Sequence, residues 1–231
     1  MKVVLFGGSG MVGQGVFREC LLDPEITAVL AIGRSPLGQQ HEKLREIVRQ
    51  DLFDYASIEE QLRGYDACFF CLGVSSAGMT EADYRHITYD LTIAAAQTLA
   101  KLNPDMTFIY ISGAGTDSTE NGRAMWARVK GQTENALLRL PCKAAYMFRP
   151  GYIQPLHGIK SKTNWYRALS AIVSPVYPLL QALFPKYVIT TEQLGRAMIQ
   201  VAKHGSPKHV FEVEDIHRAA SLGGNPPRRV N

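Results

Sequence analysis

Cysteine is scarce in this sequence. Four cysteines in a chain of 231 residues do not make the disulfide framework on which small secreted domains depend. Cys68 and Cys71 lie in the apolar segment DACFFCLG, which predicts a buried strand. Residues three apart on a strand point to opposite faces, so we interpret this CxxC as two core residues. Because no HExxH or paired CxxC pattern occurs, the sequence predicts no metal site.

Long apolar runs and basic stripes are missing as well. The opening MKVVLFGGSG has four apolar residues before its glycines, too few for a secretory signal. The net charge of +4 comes from scattered residues, with one short cluster at Pro226-Pro227-Arg228-Arg229. Nucleic-acid binding would need a basic stripe interleaved with aromatic residues or a known reading module. We therefore expect a cytoplasmic protein that does not bind nucleic acid.

Short β-rich apolar runs alternate with helical patterns along most of the chain. The predicted strands are VVLF, AVLAIG, EIVRQD, ACFFCLG, TFIYIS and KAAYMF. Predicted helices include MVGQGVFRECLL and EADYRHITYDLTIAAAQTLAKL, and a basic loop with a helix is expected between the second and third strands. Continuous apolar strands are typical of a parallel sheet covered on both faces. The prediction is a doubly wound, mostly parallel α/β (Rossmann) fold, forming one domain over residues 1–220.

The regular alternation stops after Arg149-Pro150-Gly151. Residues 152–188 are rich in Pro, Tyr, Trp and Leu and predict an apolar cap over the carboxyl edge of the sheet. Prolines at 175, 178 and 185 interrupt it, which leaves no transmembrane span. As a lid the cap would favour a bulky apolar substrate; as a subunit contact it would make a homodimer rather than a monomer. A helix, TEQLGRAMIQVAKHG, and a strand, HVFEV, follow it, and residues 221–231 are expected to form a flexible tail.

The glycine segment GGSGMVG follows the first strand directly and opens the first helix. It fits Gly8-x-Gly10-x-x-Gly13 or Gly7-x-x-Gly10-x-x-Gly13. Both patterns allow a tight turn and close approach of backbone N–H groups to a pyrophosphate at the positive end of the helix. The residues expected to hold the pyrophosphate are Gly7, Ser9, Gly10, Met11, Val12 and Gly13.

The second strand ends at Gly33-Arg34-Ser35, where a carboxylate would accept the ribose 2′-hydroxyl of NAD. A guanidinium beside a hydroxyl suits a 2′-phosphate instead. We therefore expect NADP(H) in preference to NAD(H), bound by Arg34 and Ser35. The alternative is that Arg34 is an ordinary solvated loop residue.

Taken together, these motifs resemble the atypical short-chain dehydrogenase/reductase superfamily, especially its Tat-interacting-protein-like and NAD(P)-binding epimerase-like members. The resemblance covers roughly residues 1–205. It rests on GGSGMVG, the Arg after the second strand, QDLFD after the third, CLGVSS after the fourth, VKGQTEN in a helix and FRPGYI after the sixth strand.

The resemblance implies positions for the rest of the cofactor. Asp51 and Leu52 are expected beside the adenine. Cys71, Leu72, Gly73 and Val74 are expected along the adenosine ribose, and Pro150, Gly151, Tyr152 and Ile153 around the nicotinamide.

The resemblance also implies a catalytic scheme. Ser112 matches the serine that polarises a substrate carbonyl, and Lys130 matches the lysine that holds the nicotinamide ribose. Trp126, four residues before Lys130 on one helix face, stands where the family has its proton-transferring tyrosine. An indole N–H donates hydrogen bonds but is no usable acid, and a positioned acid contributes about 10²- to 10⁴-fold.

Other residues are candidates for the missing roles. Tyr152 is the first candidate proton donor, with Tyr84, Tyr89 and His157 as alternatives; Thr116 and Ser118 are alternatives to Ser112. Two functions stay open. One is an NADP(H)-dependent oxidoreductase or epimerase-like enzyme acting on an apolar carbonyl or alcohol. The other is a non-catalytic NADP(H)-binding protein that reports redox state to a protein partner.

Overall fold

Parallel strands form the centre of the protein. A computed structural model describes residues 1–159, 164–174, 177 and 186–222. The strands are β1 (Lys2–Phe6), β2 (Ala28–Gly33), β3 (Leu44–Val48), β4 (Ala67–Phe70), β5 (Thr107–Ile111), β6 (Ala144–Phe148), β7 (Tyr152–Gln154), β8 (Val188–Thr190) and β9 (Val210–Phe211). The central seven-stranded sheet has the order β3-β2-β1-β4-β5-β6-β9, and its six strand pairs are all parallel. The predicted doubly wound α/β fold is confirmed.

Helices cover both faces of this sheet. They are α1 (Met11–Leu22), α2 (Glu81–Arg85), α3 (Leu91–Leu102), α4 (Met125–Leu137), α5 (Asn164–Val173), α6 (Thr191–His204) and α7 (Val213–Leu222). A π-helical turn, His86–Asp90, joins α2 to α3, and a 3₁₀ segment, Ala56–Leu62, precedes β4. No helix in the described part of the chain is long and apolar enough to cross a membrane.

Two apolar clusters fill the space between the sheet and its helices. One joins the sheet to α1, α6 and α7, and the other lies on the opposite face with α3. Cys68 belongs to the second cluster, whereas Cys71 packs against the first. The two thiols therefore face opposite sides of the sheet, as the strand reading of DACFFCLG predicts.

Helices α1 and α6 approach each other closely through glycine. A Cβ on Gly15 of α1 would lie 2.6 Å from Thr191 Cβ, and one on Gly195 of α6 would lie 3.2 Å from Val16 Cα. The buried Glu19 carboxylate crosses the same interface to Arg196 Nε at 3.1 Å. These contacts hold the middle and second half of α1 against α6.

The predicted helix between β2 and β3 is wrong. Residues 34–43 form turns and extended chain, with Gly38 at φ +69°. Pro36 and Gly38 disfavour a helix, and the Glu46 carboxylate accepts the Leu37 backbone N–H at 2.7 Å. The third strand also begins two residues earlier than predicted and ends at Val48.

The predicted cap, 152–188, is described in part. Strand β7 (Tyr152–Gln154) pairs in parallel with β8 (Val188–Thr190) in a separate two-stranded sheet that the sequence did not predict. Residues 160–163, 175–176 and 178–185 of the cap lie outside the described residues. Helix α7 extends to Leu222, into the predicted tail, and residues 223–231 also lie outside.

The close contact at Gly15 predicts a stability effect. Gly15→Ala should lower the free energy of unfolding by about 1–3 kcal/mol, because the new methyl group overpacks the interface with Thr191. The measurement is urea denaturation of both variants. Gly113→Ala is the control, because nothing lies within 4 Å of a Cβ built there. Unchanged or increased stability of Gly15→Ala would contradict the packing argument.

Candidate active site

The turn after β1 is closed by glycine. Gly7 has φ +75°, and a Cβ there would lie 2.6 Å from Leu72 N. A Cβ on Gly13 would lie only 2.1 Å from the carbonyl oxygen of Gly7. The Gly10 N–H donates to that same oxygen at 2.9 Å. Side chains at Gly7 or Gly13 would therefore prevent the turn from forming. Without them, the main chain can approach a ligand at the start of α1 closely.

The first turn of α1 carries no competing group. Gly10 is its N-cap, in an extended conformation and with no side chain to accept the helix's first N–H groups. No acidic residue lies in that turn, where Met11 and Val12 are half-buried. Unpaired N–H groups at the positive end of a helix are a general anion-binding arrangement.

The predicted adenosine contacts surround this turn on neighbouring loops. Arg34 and Ser35 are exposed after β2, whereas Leu52 after β3 is buried. A recess of about 20 Å³ between the glycine turn and β2 is lined in part by Gly7, Ser9 and Ser35. The segment after β4 begins with the Cys71 N–H donating to Phe6 O at 3.0 Å, and continues through Leu72 into exposed Gly73 and Val74.

Asp51 organises its own loop instead of pairing with a cation. Its carboxylate accepts the backbone N–H of Phe53 at 2.7 Å, and the side chain is exposed. The other carboxylate oxygen therefore remains at the surface beside Leu52, where the resemblance places adenine.

Lys130 lies at the carboxyl end of β5. Its Nζ donates to the Ser112 carbonyl oxygen at 3.0 Å and lies 5.5 Å from the centre of the buried Tyr110 ring. Burial lowers the pKa of Lys130 to about 8, against the opposing effect of the Glu134 carboxylate. The structure thus brings together Lys130 and the backbone of the predicted serine.

The Ser112 hydroxyl has a protein partner. Ser112 is buried, and its Oγ lies 2.9 Å from Thr116 Oγ1, which donates to Gly113 O at 2.8 Å. Its backbone N–H donates to Phe148 O at 2.7 Å. Ser112 and Thr116, alternatives in the sequence, are therefore neighbours that share one hydrogen bond. The other alternative, Ser118, accepts from Arg149 Nη2 at 2.6 Å.

Trp126 packs on the loop that follows Ser112. It is the second residue of α4 and is half-buried. Gly115 has φ +86°, and a Cβ there would lie 3.4 Å from Trp126 Cη2. The indole therefore covers a glycine that sequence reasoning did not single out, and one helical turn separates it from Lys130.

The loop beneath Trp126 is fastened to the helix. A Cβ on Gly131 of α4 would lie 1.8 Å from the Asp117 carbonyl oxygen, and the Asp117 carboxylate accepts the Gly122 N–H at 2.5 Å. Arg128 binds both oxygens of Glu81, at 3.2 and 2.5 Å. These contacts fix the orientation of α4 and therefore the place of Trp126 and Lys130.

Tyr152 begins the cap next to Pro150 and Gly151. Its hydroxyl donates to Gln154 Oε1 at 3.1 Å, its ring stacks on Tyr166 at 5.7 Å, and burial raises its pKa. The Tyr166 hydroxyl accepts from Ile153 N at 3.0 Å and donates to Ile153 O at 2.7 Å. Ile153 therefore offers no free backbone group, whereas the Tyr152 hydroxyl stays half-buried at the edge.

The other proposed proton donors are engaged elsewhere. Tyr84 is buried between helices, and the ring of Tyr89 lies under the Arg85 guanidinium at 4.3 Å. His157 Nε2 pairs with Glu192 at 2.8 Å. Of the tyrosines and histidine considered, Tyr152 is the one at the carboxyl edge next to Pro150. No three His, Cys, Asp or Glu residues of the described ranges are grouped to hold a metal ion.

No family model matches this chain. The chain is similar to mitochondrial proteins named FMP52. It is 26% identical to FMP52-2 of Scheffersomyces stipitis over 152 residues, and this alignment covers 64% of the chain. That match spans 65% of the relative's length, just under two thirds. The similarity to FMP52 of Saccharomyces cerevisiae is 25% over 215 residues and covers 90% of both chains.

Solved structures share the fold. The Bordetella bronchiseptica enzyme WbmF in complex with NAD+ and UDP has a TM-score of 0.63 at 16% identity, covering 96% of this chain and 76% of that one. A UDP-glucose 4-epimerase has a TM-score of 0.66 at 16% identity, covering 96% and 82%. The chain therefore shares the Rossmann-like fold of these two solved structures.

These relatives correct one expectation. The sequence predicted a cytoplasmic protein, but the similar curated proteins from Scheffersomyces stipitis, Emericella nidulans and Saccharomyces cerevisiae are all named as mitochondrial. The cytoplasmic prediction is wrong. It rested on the lack of a secretory signal, which says nothing about mitochondria.

The lowered pKa of Lys130 predicts a pH dependence of stability. Its pKa falls from 10.5 to about 8 on folding, so between these values the unfolded chain binds more protons and stability rises with pH. The free energy of unfolding of the wild type, relative to Lys130→Met, should therefore increase from pH 8 to pH 10. Urea denaturation measures it. Lys101→Met, at an exposed lysine, is the control, and a flat difference for Lys130 would contradict its burial.

Proposed function

We propose that this chain binds a nicotinamide dinucleotide, NADP(H) in preference to NAD(H), and reduces a carbonyl or oxidises an alcohol. The observation that carries the proposal is the placement of Lys130. A half-buried amine, whose pKa desolvation lowers to about 8, lies at the same edge of the sheet as a glycine turn too tight for any Cβ. In doubly wound folds, a dinucleotide binds across the crevice at the switch point, where the strand order reverses.

The glycine turn fits the pyrophosphate. The positions of Gly7 and Gly13, where a Cβ would meet backbone at 2.6 and 2.1 Å, bring the main chain close to the start of α1. The N–H groups of that helix face no side-chain cap. Solved structures of this fold hold NAD+ or NAD, which supports the same use of the edge here.

Lys130 would hold the ribose next to the nicotinamide. Its Nζ uses one proton on the Ser112 carbonyl oxygen at 3.0 Å and has two further protons to donate. When bound, the cofactor supplies a hydride at its nicotinamide C4. The contact with Ser112 O holds the amine at the carboxyl end of β5.

The proton must come from a residue other than Trp126. We assign it to Tyr152, which follows Pro150 and Gly151 directly and whose phenol carries a proton at neutral pH. Gln154 Oε1, at 3.1 Å, orients that hydroxyl. Trp126 would then orient the substrate through its indole N–H without giving up a proton.

The described part of the cap favours an apolar or aromatic substrate. Tyr152 and Tyr166 stack in parallel, with ring planes 14° apart, and Tyr177 is buried nearby. Aromatic faces bind flat apolar groups. The half-buried Tyr152 hydroxyl in that wall would contact the oxygen of a carbonyl or alcohol.

A second function is favoured by Trp126. The indole packs closely on Gly115, since a Cβ built on that glycine would lie 3.4 Å from Trp126 Cη2. This contact holds the ring in one position. A site that binds NADP(H) without an acid at this position would report redox state to a protein partner. The two functions differ in turnover and not in cofactor binding.

Turnover separates the two functions. The wild type should oxidise NADPH with at least one member of a panel of aldehydes, ketones, quinones and nucleotide sugars. Tyr152→Phe should lower kcat by about 10²-fold or more because it removes the positioned acid, with little change in NADPH affinity. The measurement is the initial rate of NADPH consumption together with a binding titration.

Tyr65→Phe is the matched control, since Tyr65 precedes β4 at the opposite edge of the sheet, and its rate should equal that of the wild type. If the Tyr152→Phe rate is unchanged, the donor is another group. If Trp126→Tyr turns over while the wild type binds NADPH and does not, the chain is a sensor and the enzymatic proposal fails.

A further inference from the structure

Two arginines lie side by side where β2 and β3 end. The Arg49 N–H donates to Gly33 O at 3.0 Å, directly after the last strand pair, Gly33 with Val48. Arg34 and Arg49 therefore leave the sheet on adjacent strands. Gln50 Nε2 donates to Arg34 O at 3.3 Å, which ties the two loops together.

The Arg49 side chain is half-buried, and two of its three guanidinium nitrogens have no hydrogen-bond acceptor. Its Nε and Nη1 are shielded from solvent and have no partner. Its Cζ lies 5.7 Å from the centre of the Tyr55 ring, and Tyr55 is itself buried, with its hydroxyl donating to Leu52 O at 2.7 Å. A ring face attracts a cation but satisfies no N–H group. The shielded edge of Arg49 therefore lacks the acceptors that a buried guanidinium requires.

The carboxylates close in sequence are occupied by backbone groups. Asp51 accepts from Phe53 N at 2.7 Å, and Glu46 accepts from Leu37 N at 2.7 Å. Within the described ranges, the ion pairs of the protein include neither Arg34 nor Arg49. Two arginines that follow adjacent strand ends without a carboxylate between them concentrate positive charge there, which favours the binding of an external anion.

We propose that Arg49 acts with Arg34 to bind the phosphate monoester on the adenosine ribose of NADP(H), and so determines the preference for this cofactor over NAD(H). This inference rests on the proposed function. A phosphate monoester has three acceptor oxygens and close to two negative charges, and it matches the N–H fork of a guanidinium. Arg34 approaches it from the exposed loop, and Arg49 from the shielded side over Tyr55.

The test is isothermal titration of NADPH, NADH, 2′,5′-ADP and 5′-AMP into the wild type, Arg49→Met and Arg45→Met. In the wild type, NADPH should bind more tightly than NADH, and 2′,5′-ADP more tightly than 5′-AMP, because only the first of each pair carries the 2′-phosphate. Arg49→Met should weaken the two 2′-phosphate ligands by about 10- to 100-fold, the range for a charge-assisted hydrogen bond. The affinities for NADH and 5′-AMP should not change.

Arg45→Met is the matched control, because Arg45 is an exposed arginine of the same strand and its loss removes the same charge. It should leave the NADPH to NADH affinity ratio intact. Arg49→Lys keeps the positive charge but loses the planar fork of N–H groups. It should weaken the same two 2′-phosphate ligands, by less than Arg49→Met does. This variant replaces Arg49→Met in the test if Arg49→Met does not fold.

Equal weakening of NADPH and NADH in Arg49→Met and Arg49→Lys would overturn the inference, since Arg49 would then contact the adenine or only stabilise its loop. Unchanged affinities for all four ligands in both variants would overturn it too. A wild type that binds NADH and not NADPH would overturn the arginine pair while leaving a dinucleotide site. A wild type that binds neither dinucleotide would overturn the proposed function itself.

Discussion

The distance between the start of α1 and the turn after β1 is the constraint on which the edge of this sheet depends. Gly13 lies so near the Gly7 carbonyl that a methyl group at Gly13 would sit 2.1 Å from that oxygen. The turn can close only with glycine at both positions. Its closure directs the N-terminus of α1 at the crevice between β1 and β4, where the order of the sheet reverses and ligands of this architecture bind.

A second set of contacts places the chemistry opposite that turn. Gly131 seats α4 on the Asp117 backbone, and Arg128 fastens α4 to Glu81 on α2. In this position the Lys130 amine donates a hydrogen bond to the Ser112 carbonyl oxygen. Desolvation of the amine lowers the pKa of Lys130. The proposed reductase would use this arrangement, although an indole stands where the resemblance implies the proton-transferring tyrosine. Cofactor binding would therefore depend on the glycine turn and Lys130, and proton transfer on Tyr152 as proposed.

The sequence predicts the regular elements well because their signals are local. Helix α1 and strand β2 have the bounds that the apolar pattern indicates, and the stretch from 81 to 102 is helical, with a π turn at His86–Asp90 that no propensity signals. The helix expected after β2 is absent because Pro36 and Gly38 disfavour it and the Glu46 carboxylate on β3 accepts the Leu37 N–H. Short strand β7 was missed because its partner, β8, is distant in the chain.

The candidate site divides in the same way. Glycine spacing predicts the turn, and one helical turn relates Trp126 to Lys130. Pairings across the sheet are not local: nothing in the sequence places Arg49 beside Arg34, gives Thr116 to the Ser112 hydroxyl, or sets Trp126 on Gly115. Those contacts follow from strand register and loop packing. An arginine just past β3 is a usable signal only when the neighbouring strand end is known to carry another.

The most direct test of the account is a crystal structure of the protein with NADPH. The account predicts the pyrophosphate at the start of α1 above Gly10, the 2′-phosphate between Arg34 and Arg49, and a ribose hydroxyl within hydrogen-bond distance of Lys130 Nζ. Binding of NADPH in solution with the dinucleotide located away from this edge, such as in the cleft between α6 and α7, would contradict it.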